Sequence, residues 1–131
     1  MIGLDTNVLL RLFIVDDEAQ VRRARRYVSE ATRDDPALVN NVALSEFAWV
    51  LAKQLKMPRK DVVRFVGEVL SADDLEIAHR AAAERALASY SRGKADFADY
   101  FLAEINAELG CATTATFDRD ALDSPAFSPV P

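Results

Sequence analysis

A chain of 131 residues, half of them hydrophobic and 28% charged, can bury a single substantial core and shows no long biased segment that would stay disordered. With one cysteine, Cys111, and one histidine, His79, it lacks the ligands for a zinc site or a disulfide framework, and any nucleophilic triad would rest on His79 alone. A formal charge of −5 argues against a generally basic surface for nucleic acid, and no apolar run reaches membrane-spanning length or follows a charged leader, so the expectation is one domain over residues 1–131 in the cytosol.

Met1 to Asn7 opens with a short apolar run that stops at an acid followed by two small polar residues, the pattern of a buried strand delivering Asp5 to its carboxyl end. Val8 to Leu12 continues with helical periodicity, so Thr6 or Asn7 is the expected helix cap. Asp16 to Thr32 reads as an amphipathic helix whose Arg22, Arg23, Arg25 and Arg26 form either a solvated face or a patch for phosphates or an acidic partner.

Ala37 to Val42 predicts a second strand, and Ala43 to Lys56 a helix with a broad apolar stripe, in which Trp49 is expected in the core and Glu46 near the start. A further helix follows Pro58, a third strand is read at Leu75 to Ala78, and Arg80 to Tyr90 is an alanine-rich helix that His79 precedes as a surface or helix-start residue. The pair Ala43 to Lys56 and Val62 to Leu70 is mostly core, with the option of facing a partner. Lys94 to Leu109 is the last helix; Cys111 to Phe117 is a strand that ends at Asp118, and the proline-bearing tail reads as a short edge strand. Alternation of strand and helix predicts an α/β fold with a mainly parallel sheet covered on both faces.

Strand ends at Asp5 and Asp118, the first turn bearing Glu46, and the helix start carrying Asp96 and Asp99 all belong to one edge of such a sheet. Each acid alone also reads as a cap or a first-turn residue; Asp96 with Asp99 is a carboxylate version of the capping box. Gathered together they repel, by ~4 kcal/mol for two unit charges ~4 Å apart at an effective dielectric of ~20. An oxygen-only ligand set with open positions suits Mg²⁺ or Mn²⁺, ions used to hydrolyse phosphodiesters.

Leu4-Asp-Thr-Asn-Val-Leu-Leu10, Ser45-Glu-Phe47, Asp96-Phe-Ala-Asp-Tyr-Phe-Leu-Ala103 and Thr116-Phe-Asp118, in this order and spacing, resemble PIN-domain ribonucleases, in particular the VapC-type toxins of VapBC toxin-antitoxin pairs. The resemblance covers nearly the whole chain. It implies a three-layer α/β/α sandwich, Mg²⁺- or Mn²⁺-dependent endoribonuclease activity, a cognate antitoxin and a homodimer. Position by position, Asp5 resembles the first metal ligand, Glu46 the second acid, Asp99 the third and Asp118 the fourth. Asp96 is an assisting acid, Asp120 a competitor for the last role, and Thr6, Asn7 and Thr116 are supporting residues.

The resulting expectation is RNA cleavage at Asp5, Glu46, Asp99 and Asp118, with Arg22, Arg23, Arg26, Arg59, Lys60 and Arg64 as phosphate contacts. Two rivals stand beside it. A phosphoryl-transfer domain of the receiver or phosphatase kind would want a second acid where Asn7 stands, or a lysine where Asp118 stands. A non-catalytic α/β interaction module would use the acids to bind a basic peptide, without Asp5-dependent metal binding.

Overall fold

A computed structural model describes residues 1–14 and 16–131. Its elements follow from local chemistry. Helix α1 (Thr6–Phe13) starts where the Asp5 carboxylate accepts the Val8 N–H at 2.9 Å. The cap is therefore Asp5, not the expected Thr6 or Asn7, because an aspartate with extended backbone reaches the free N–H three residues on. Asp17 caps α2 (Glu18–Ala31) in the same way, and Val21 and Val28, two turns apart, turn one face inward.

Strand β1 (Ala37–Val39) is shorter than expected, because Asn40 accepts the Ala43 N–H and starts α3 (Asn41–Trp49) at once. The helix runs on as a π turn (Val50–Gln54), in which the Leu55 N–H donates to the Val50 carbonyl at 2.9 Å. Pro58 precedes α4 (Arg59–Ser71), as its missing N–H permits, and β2 (Leu75–Ile77) follows. His79 heads α5 (Arg80–Arg92), its ring Nδ1–H donating to the Glu108 carboxylate at 3.1 Å. Helix α6 (Phe97–Glu108), β3 (Thr114–Thr116) and β4 (Phe127–Pro129) complete the order.

Among the described residues the fold is α/β, with parallel strands and six α-helices. β1 pairs in parallel with β2, and Gly3 bridges Leu38 on the other side, between the bonds Leu4 N–H to Leu38 O and Leu38 N–H to Ile2 O. The expected opening strand is thus a single bridged residue with two flanking bonds, cut short by the helix that Asp5 caps. β3 and β4 form a second parallel pair, where one continuous sheet was expected.

Val39, Leu44, Phe47, Leu51, Val62, Val66 and Val69 are all fully buried between the strands and α3, α4, each contributing about 2 kcal/mol of apolar burial. The apolar face of α4 is accordingly core and unavailable to a partner. Trp49 departs from the expectation of a core residue: it is 49% exposed, since the stripe turned inward on α3 is Leu44, Phe47 and Ala48. Val42 and Leu102 also face outward, on either side of a groove between α3 and α6.

Candidate functional site

Asp5, Glu46, Asp99 and Asp118 come from four places in the sequence, and local geometry fixes each. Asp5 uses one oxygen on the Val8 N–H and stays exposed, leaving a second oxygen for another partner. Thr6, its neighbour, donates its hydroxyl to Glu46 Oε2 at 3.3 Å, which ties the first turn of α1 to the second turn of α3, one turn later than expected for Glu46 because the helix starts at Asn41. Asn7 is exposed on the same turn.

Asp96 and Asp99 bracket the start of α6, where the Asp99 carboxylate accepts the Asp96 N–H at 3.3 Å and completes the capping box anticipated from the two residues. Burial pushes the Asp99 carboxyl above its ordinary value, and the charges of Asp96 and Asp118 push it the same way, against the Asp96 N–H and Lys53. Asp118 is therefore close enough to Asp99 to be felt by it. Asp118 is itself held by a turn: its N–H donates to Thr116 Oγ1 at 2.9 Å, and its Oδ1 accepts the Asp120 N–H at 2.9 Å. Asp120 serves the turn that presents Asp118.

The structure thus links Glu46 to the residue beside Asp5, and Asp118 electrostatically to Asp99. Among the described residues, no three acidic, histidine or cysteine side chains close on one point as a finished metal cage. As oxygen donors they suit a hard divalent ion, and the Asp99 carboxyl is raised first by burial and further by the charges of Asp96 and Asp118.

Three residues around this edge escaped the sequence reading. Lys53, in the π turn, lies 3.2 Å from Asp96 Oδ1 and supplies the local positive charge. Nothing in its local sequence marks the contact, and its side chain lines a small cavity with Trp49, Asp96 and Asp99. Tyr100 and Asp123 hold the segment before α6: the Tyr100 hydroxyl accepts the Lys94 and Ala95 N–H groups and donates to Asp123, whose second oxygen also takes the Lys94 N–H at 3.1 Å. Burial raises the Tyr100 hydroxyl, which keeps it protonated as that donor.

Arg59 requires a correction. Its guanidinium donates to the carbonyls of Tyr90, Ala95 and Lys94 at 2.9, 2.9 and 3.0 Å and stacks over the Tyr90 ring at 4.0 Å, so it braces the segment before α6 instead of awaiting a phosphate. Lys60 and Arg64 are exposed on α4.

The sequence matches the family model described as PIN domain over residues 2–127. The chain belongs to the PIN-domain family. PIN domains are generally nucleases that use divalent metals and act on RNA or DNA. No curated protein matches the chain. Among the described residues of this PIN domain, no helix is long and apolar enough to cross a membrane.

The raised pKa of Asp99 has a direct consequence for stability. A carboxyl whose folded pKa lies above its unfolded value favours folding while protonated; that benefit is full below the ordinary value of 3.8 and is lost as pH rises through the raised folded value. Asp99→Asn is therefore expected to be more stable than the parent at pH 7 in chelator, the advantage shrinking to nothing near pH 3. Urea unfolding at both pH values measures it, and an advantage that persists at pH 3 would contradict the electrostatic cause.

Proposed function

We propose that this PIN domain is a Mg²⁺- or Mn²⁺-dependent endoribonuclease and the toxin of a VapBC-type toxin-antitoxin pair. The observation that carries the reading is the PIN-domain match over residues 2–127, supported by the Asp96–Asp99 box at the start of α6 and by the Thr6 hydroxyl on Glu46 beside Asp5. Asp5, Asp99 and Asp118 hold the ion, and Asp96, neutralised by Lys53, assists. When bound, the ion supplies positive charge against the phosphate and makes water a better nucleophile.

Glu46 accepts a proton from the attacking water, with its carboxylate steadied by the Thr6 hydroxyl. Asn7 offers a further polar group on that turn, and Thr116 keeps Asp118 aimed through its bond to the Asp118 N–H. A cognate antitoxin and a second copy of the chain are the partners of this reading, in the cytosol; the exposed Val42, Trp49 and Leu102 offer apolar surface for such contacts.

Purified protein incubated with total RNA and Mn²⁺ should give discrete cut ends, and an excess of chelator should suppress them. Undiminished cleavage in chelator would overturn the metal-dependent reading. Labelling of Asp5 by a phosphodonor, without RNA cleavage, would favour the phosphoryl-transfer alternative.

A further inference from the structure

The four arginines of α2 meet different fates. Arg22 pairs with Glu18 at 3.8 Å and Arg25 donates to the Leu12 carbonyl at 3.4 Å, whereas Arg23 and Arg26 have no acidic side chain within ion-pair reach among the described residues. Those two line a groove of about 560 Å³ together with Tyr27, which is 60% exposed, and with Val8 of α1. Val8 donates its N–H to Asp5, so the groove begins at the residue that contacts the first candidate ligand. Glu30 also lines it.

We infer that this groove is a subsite for single-stranded RNA, in which one base stacks on Tyr27 while Arg23 and Arg26 meet the flanking phosphates and the strand continues toward Asp5. The inference rests on the ribonuclease reading. An aromatic face beside two unpaired guanidiniums matches the alternation of base and phosphate in an unstacked strand. A run of carboxylates would use the guanidiniums and leave the ring without a role. On a chain of net charge −5, such a local patch is what allows a polyanion to approach at all.

The test is the binding of a short fluorescent oligouridine to the full chain in chelator, followed by anisotropy across a salt series. The Arg23→Ala/Arg26→Ala protein should bind more weakly, with the slope of log affinity against log salt reduced by about 1.4, roughly 0.7 per charge on a single strand. Tyr27→Leu should weaken binding about tenfold, while Tyr27→Phe keeps it. Affinity and slope unchanged in the double variant, or no effect of Tyr27→Leu, would overturn the inference. So would capture of an oligoglutamate peptide without capture of RNA, which would make the groove a protein-docking surface. Since this binding is read in chelator without cleavage, groove-dependent binding by a protein that cuts no RNA when Mn²⁺ is supplied would sink the ribonuclease reading and leave the subsite standing.

Discussion

Asp5→Asn is expected to reduce Mn²⁺-dependent RNA cleavage by about 10³-fold, because a metal ion's stabilisation of the transition state is worth several kcal/mol and each ~1.4 kcal/mol is a factor of ten. Asparagine is the informative replacement. Asp5 also caps α1 through the Val8 N–H, and alanine would remove that cap at a cost of about 1 kcal/mol, mixing a folding defect with a chemical one. Asparagine caps as well as aspartate and has the same shape, so only the charge is lost. The melting temperature should stay close to that of the parent while cleavage collapses; a variant that cuts RNA at the parental rate removes Asp5 from the site.

Arg59→Ala should be the most damaging change at a charged residue outside the acidic edge, lowering stability by about 3 kcal/mol and the melting temperature by about 10 °C. The substitution strands three carbonyls at the junction of α5 and α6 and removes the cation from the Tyr90 ring. Arg59→Lys should recover only part of the loss, since one ammonium cannot span the fork that the guanidinium fills. The damage should also reach the acids, because the braced segment runs directly into Asp96; Mn²⁺ affinity is expected to fall about tenfold. Urea unfolding and metal titration measure the two effects. A loss below about 1 kcal/mol would place Arg59 among ordinary surface cations.

What could be read from the residues was what short range decides. The apolar spacing of α2 and α4 and the Asp96/Asp99 box are properties of neighbours three or four apart, and the structure shows each close to its expected place. The cap of α1 was misplaced because Asp5, Thr6 and Asn7 are all good caps, and backbone geometry alone chooses among them. Trp49 was assigned to the core because Phe47, Ala48, Val50 and Leu51 flank it in the chain, whereas its neighbours one turn away, Ser45, Glu46 and Lys53, are polar and mark the outward face. Arg59 could not be found at all, since its carbonyl partners lie 31 to 36 residues away and carbonyls carry no signature in side-chain identity. Lys53 was hidden by the π turn, which displaces it from the register of a regular helix.

The pairing of β3 with β4 has a consequence for the life of the polypeptide on the ribosome. A nascent chain that has just released Asp118 already contains every acid of the proposed centre, yet the segment that β3 bonds to has still to be translated. A ribosome paused between those points would hold Asp118 on an unpaired ribbon, so the proposed centre is framed only when Phe127 to Pro129 are in place.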